Sequence, residues 1–405
     1  MDIKLSREGL TKTGVILLLL SGLVFHDFFI LPGVKLGPIT ITYLRVILVV
    51  CIPLLLFFYK VKIRKNDVIA IILLIFMAYG LTRIEGNLKE AFALYCPLVA
   101  FFFLYFSIDE KRILENCIDF IAGLLIFFCF VGLFELITGR HFVSTRYDVV
   151  NILKHVACGM YYNENDFSAF LSVLILFMLM SHFRKIIKLV FVFFAFVIIC
   201  LNQSIICILA LSAFAIIAFI VWNRNNKFFR FIAVISIVLI LLKPIIDLIN
   251  SSSMWWRSYM YSFGLKNVIS HMLIGNGIGK YTEGMIEQGF DVSYSGASAD
   301  PHNLFFELAG TFGVIWSVLL IILLVKLFTW NLKRAANRQY LYFFGLVLII
   351  PFVGLASSSC MEKNYIYLAL LIPMIQYRIY INRLNTNCGI SLEKDISFLS
   401  DICSV

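Results

Sequence analysis

Residues 298–313 read SADPHNLFFELAGTFG, and they gather His302, Asn303 and Glu307 at the start of an otherwise apolar stretch. Asp300 followed by Pro301 has the pattern of an N-cap and a first helical residue, so the sequence predicts a helix starting at 301. At about 100° per residue, His302, Gly313, Gly310, Asn303 and Glu307 fall within a sector of about 140°. Leu304, Phe305 and Leu308 fall on the other side. A histidine in the first turn faces the positive end of the helix dipole, which favours the neutral imidazole, the form that can take a proton from a hydroxyl. The plainer alternative is a capped helix end with an interfacial histidine.

Other polar residues invite the same question. Arg257 follows Trp255 and Trp256; its planar guanidinium suits a phosphate, and equally a lipid headgroup. Arg45 lies early in an apolar run, where its long stem can carry the charge out to the surface. The run YYNENDFSAF at 161–170 puts Asn163, Asn165 and Asp166 at a helix start. Asp166 reads as its cap, and the tyrosines and asparagines also suit a sugar. GNGIG at 275–279 has the wrong spacing for a dinucleotide fingerprint and reads as a tight turn. The ten cysteines are scattered without a CxxC pair, so they read as small packing residues, with a Cys158–Cys360 bridge as an unsupported option. Neither a metal site nor a cofactor is expected.

The elements that must position these groups are membrane helices. The chain is 61% hydrophobic and 14% charged, far from the balance of a soluble domain. The pattern predicts an all-α polytopic membrane protein of about twelve spans. The expected spans are 14–31, 41–59, 67–82, 91–107, 117–138, 166–182, 187–202, 205–222, 229–249, 302–326, 340–357 and 364–382. The first is an uncleaved span rather than a signal peptide, because no small-residue cleavage site ends it. With this count, about two thirds of the 34 Lys and Arg residues fall on alternate connections, which places both termini in the cytoplasm. The net charge of +10 therefore needs no nucleic-acid partner. Residues 1–383 form one helical domain and 384–405 a short cytoplasmic tail. Two outer connections are long, 139–165 and 250–301. The larger lies between the ninth and tenth spans, and its aromatic first half reads as a helix at the interface with membrane lipids.

At these residues the chain resembles the O-antigen polymerase and O-antigen ligase superfamily. HNLFFELAGTFG resembles that family's H-x10-G element, with His302 and Gly313 at its ends. WWRSYMYSFGLKNVISHMLIGNGIGKY resembles its arginine-containing segment, with Arg257 as the arginine, and GMYYNENDFSAFL resembles its Asn-x-Asn element. The three lie in the family's order. One feature departs: in NQSIICILAL, Ile205 stands where the family often carries an arginine.

The resemblance implies a GT-C-like enzyme of the bacterial cytoplasmic membrane, acting without metal on its outer face. The donor would be an undecaprenyl-pyrophosphate-linked glycan and the acceptor a second glycan or a lipid. His302 would be the base and Arg257, helped by Lys280, would hold the leaving pyrophosphate. Glu307 and Asn303 would orient the base or the acceptor, while Asn163, Asn165 and Arg45 would bind substrate. A chain-length regulator is a further partner of such polymerases.

Three functions follow from this sequence: a polymerase of surface-polysaccharide repeat units, a ligase passing the finished glycan to a lipid or protein, and a flippase for lipid-linked sugars. The missing arginine at 205 counts more against the ligase. The absence of a visible repeat, and the gathering of polar residues at one mouth, count against the flippase. The topology is testable: a cysteine introduced at 302 should react with a membrane-impermeant thiol reagent in intact cells, and labelling only after lysis would overturn the orientation.

Overall fold

The computed structural model describes residues 7–25, 30–36, 39–58, 67–84, 88–143, 145, 155–222, 252–278, 280–290, 303–356 and 360–388. These fold into a helical bundle in which most helices coincide with the expected spans. In chain order they are α1 (Arg7–Val24), α2 (Tyr43–Pro53, continued by a wide turn Leu54–Phe58), α3 (Val68–Leu81), α4 (Leu88–Ser107) and α5 (Lys111–Thr138). Then come α6 (Glu164–Met180), α7 (Lys185–Leu201), α8 (Ile205–Trp222), α9 (Ser252–Ser270) and α10 (Tyr281–Glu287). The last are α11 (Leu304–Phe312), α12 (Val314–Lys333), α13 (Arg338–Ala356) and α14 (Asn364–Cys388). Among the described residues, α5, α8, α12 and the Arg338–Leu355 part of α13 are long and apolar enough to cross a membrane. The expected span 229–249 lies outside the described residues.

The centre of the bundle is α6. From Asp166 to Met178 every side chain is buried, serines and aspartate included. A helix that is apolar all round has no face to give to solvent and packs as an axis. It is flanked by α5, α7 and α13. Ser168 and Ser172 return their hydroxyls to the carbonyls one turn back at 2.8 Å each, which satisfies them inside the core.

The two ends of the bundle differ. At one, Lys12 pairs with Asp109 at 3.0 Å and Arg378 donates to the Ile108 carbonyl at 2.7 Å, tying α1, the α4–α5 turn and α14 together. Arg334 stacks on Trp330 and Tyr380 at the same basic end. The opposite end holds the starts of α6 and α14, the end of α5 and the short α11.

Three expectations need correction. The first and second spans are not helical throughout: Ile30–Leu36 and Ile39–Thr42 form an antiparallel hairpin, β1 and β2, with Leu36 opposite Ile39. Pro32 and Gly33, together with the β-branched run ITIT, disfavour helix here. The tenth span is not one rod either. It breaks at Gly313, whose φ of 97° and ψ of 158° are open essentially to glycine alone. Finally, α14 runs on to Cys388, past the expected start of the tail.

A Cβ at Gly313 would lie 2.2 Å from the Leu273 carbonyl oxygen. Gly313→Ala is therefore expected to cost at least about 2 kcal/mol and to lower the thermal midpoint of the detergent-solubilised protein. An unchanged midpoint would show that the break does not need glycine.

Candidate functional site

The helix break creates an orphaned chain end, and the large connection satisfies it. Asn276 N–H donates to Gly310 O at 2.6 Å and Gly277 N–H to Thr311 O at 3.0 Å. From the other direction Val314 N–H donates to Met272 O at 2.9 Å. The glycine-rich turn is thus clipped onto the end of α11. Gly275, at φ 67°, has no room for a side chain: a Cβ there would sit 2.4 Å from the Thr311 carbonyl. Tyr79 and Arg83, at the end of α3, donate to the Ile274 and Gly275 carbonyls at 2.9 Å each. Ile278 N–H returns a bond to Arg83 O. Tyr281 packs against Gly310, closer than a Cβ there would allow.

At the other end of α11, Asn303 is the N-cap. Its side-chain oxygen accepts from Phe305 N–H at 3.0 Å and Phe306 N–H at 3.2 Å. The helix therefore starts at Leu304, and the expected start at 301 with Asp300 as cap is corrected. Asn303 works because it sits directly before the first residue whose amide points back along the axis. Glu307, one turn in, is buried and accepts from Met361 N–H at 3.3 Å. Tyr367 donates to the Met361 carbonyl at 2.6 Å, so the turn before α14 is fixed from both sides.

That turn leads directly to a second polar group. Lys363 pairs with Asp166 at 3.1 Å, and Asp166 also accepts from Tyr365 at 3.2 Å and from the Asn163 amide at 3.1 Å. Asp166 is fully buried, so these partners carry its charge. The helix cap is Asn163, accepting from Asp166 N–H at 2.9 Å, and not Asp166 as expected. Tyr161 and Asn364 bond to each other across the same region.

Beside this lies a clamp that the sequence analysis did not single out. Glu135, near the end of α5 and fully buried, accepts from the backbone amides of Cys158 and Gly159 at 2.7 Å each and of Phe142 at 3.2 Å. Asn202 makes a two-way bridge to the Ala157 backbone, at 2.9 and 2.8 Å, and reaches Ser168 at 3.2 Å. Asn202 thus holds the 155–160 segment in place. A carboxylate inside an apolar span was the available signal for Glu135.

Below the polar end runs an apolar groove of about 190 Å³ between α3 and α4 on one side and α12 and α14 on the other. Leu304 and Leu308 of α11 and Met361 line its upper part; Phe76, Leu98 and Leu320 are among the residues continuing it.

The predicted residues fare unequally. Asn303 and Glu307 share α11, and residues 361–363 connect them to Asn163. His302 lies outside the described residues. Arg257 is on α9, four positions before Tyr261, whose ring meets Phe306 edge-on at 5.6 Å; its side chain is not described. Lys280 precedes α10 and pairs with Glu283. Asn165 is half-buried in the first turn of α6, and its side chain makes no hydrogen bond to another described residue. Arg45 is half-buried, with its guanidinium over the Phe92 ring at 5.6 Å. Cys158 is a buried thiol and not half of a disulfide bridge.

No protein-family model matches the chain, and no curated protein resembles it closely enough to count as a match.

The Lys363–Asp166 pair sets a test. Lys363→Ala leaves a buried charge short of its cation and is expected to cost about 3 kcal/mol in thermal unfolding. Lys363→Met with Asp166→Asn should recover most of that; a single variant as stable as wild type would show the pair to be energetically idle.

Proposed function

We propose that the chain polymerises lipid-linked oligosaccharide repeat units at the outer face of a bacterial cytoplasmic membrane, using an undecaprenyl-pyrophosphate-linked glycan as donor. In this reading it has about twelve spans in a GT-C-like arrangement, with both termini cytoplasmic. The observation that carries the reading is the double character of α11. Asn303 and Glu307 belong to a polar mouth, while Leu304 and Leu308 of the same helix line an apolar groove. A substrate with a sugar head and a polyprenyl tail needs both, side by side.

The chemistry is an inverting displacement. The acceptor hydroxyl attacks the anomeric carbon, the glycosidic C–O bond forms, and the bond to pyrophosphate breaks. His302 takes the hydroxyl proton; the leaving pyrophosphate takes the bonding electron pair. Arg257 on α9 stabilises the developing charge. Lys280 is assigned a lesser part because Glu283 already engages it. Glu307, held by the Met361 amide, positions α11. Polymerase is preferred to ligase because of Ile205, where Asn202 and its neighbours serve the 155–160 segment instead.

His302→Ala should reduce polymer by at least about a hundredfold at unchanged protein level. Arg257→Ala should cost about a hundredfold, and Arg257→Lys less, because a point charge replaces the fork. Surface-polysaccharide gels of complemented deletion strains give the readout. Normal chain length with His302→Ala would refute the base, and full activity in both Arg257 variants would reduce that residue to a lipid anchor.

A further inference from the structure

The basic end carries a cavity that plays no part in the proposed transfer. It measures about 660 Å³ and lies between α5, α7 and α13. Cations reach it from three separate stretches of chain: Lys111 from α5, Lys185 and Lys188 from α7, and Arg338 from the first turn of α13. The positive-inside rule accounts for basic residues on these connections, but not for their convergence on one hollow.

Most of the charges near it have fixed partners. Lys188 donates to the Leu179 and Ser181 carbonyls and so closes the α6–α7 turn. His182 in that turn is held to Asp119 at 2.9 Å, and Lys111 shares Glu115 at 3.1 Å. Lys185 and Arg338 have no carboxylate within ion-pair distance among the described residues. The Arg338 guanidinium lies over the Trp222 ring at 5.6 Å, which orients it without neutralising it. Two unneutralised cations lining a formed hollow, the arginine oriented by a ring, define an anion site, and an arginine fork with a lysine matches a phosphate.

The surroundings choose the source of the phosphate. The floor includes Ile118, Leu189 and Val192, and α7 beside the mouth exposes Ile186 (64%), Leu189 (68%) and Phe193 (61%). A soluble phosphate has no use for that apolar face, whereas acyl chains cover it. We propose that this cavity binds the headgroup of an anionic phospholipid, with its chains laid along α7. Basic pockets between membrane helices on the positive side are suited to such headgroups.

The test is native mass spectrometry of the full chain in detergent, titrated with phosphatidylglycerol or with phosphatidylcholine of the same chains. Phosphatidylglycerol should bind more tightly, and Lys185→Gln with Arg338→Gln should weaken it by about tenfold or more while leaving phosphatidylcholine unchanged. Lys333→Gln with Arg383→Gln removes the same charge elsewhere on the basic end and should change nothing. Lys185→Arg with Arg338→Lys should retain binding, which separates lost recognition from lost folding. Equal binding of the two lipids, or an equal loss in the control pair, overturns the proposal. Glycerol phosphate binding as tightly as the lipid overturns the lipid source and leaves a soluble phosphate ligand. None of these outcomes depends on whether the chain polymerises glycans.

Discussion

A helix interrupted inside apolar surroundings exposes carbonyls and amides that nothing in hydrocarbon can satisfy. The rod around Gly313 is interrupted in this way, and the segment 272–277 supplies the missing partners on both sides of the gap. Much of the polar end follows from this repair. It fixes where α9 ends, why the glycine-rich turn lies against α11, and why the end of α3 is recruited to hold that turn. It also separates α11 from α12, so that Glu307 meets the turn before α14.

The second organising constraint is the buried carboxylate. Asp166 and Glu135 both sit where a bare charge is untenable, and each is met by several donors. Asp166 draws together α6 and the start of α14 through Lys363, Tyr365 and Asn163; Glu135 draws the segment around Cys158 and Gly159 onto α5. These two anchors build the polar end from residues far apart in the chain. The opposite end uses half-buried cations on carbonyls and rings. The molecule thus has one end organised by buried acids and another by basic groups.

Much of the helical layout was legible in the sequence, because long apolar runs separated by charges leave few alternatives. Asn303 and Glu307 were legible for the same reason: polar residues inside such runs stand out. What escaped the reading was set by partners distant in sequence. Nothing local distinguishes Asp300 from Asn303 as a cap; the choice depends on where the helix meets Met361. Asp166 looked like a cap until Lys363, nearly 200 positions later, proved to be its partner. The spacing between His302 and Gly313 was visible, but not that the glycine marks a break. The hairpin was hidden because β-branched apolar residues suit a short strand as well as a span.

The clip between the glycine-rich turn and α11 has a consequence for length variation. Nine residues separate the Asn303 cap from Gly313, and both ends are anchored to different parts of the molecule. One residue more or fewer in that interval would turn Glu307 or the docked carbonyls about 100° away from their partners. Homologous chains should therefore keep the short helix at constant length, so that an alignment would show no gap between the cap and the glycine.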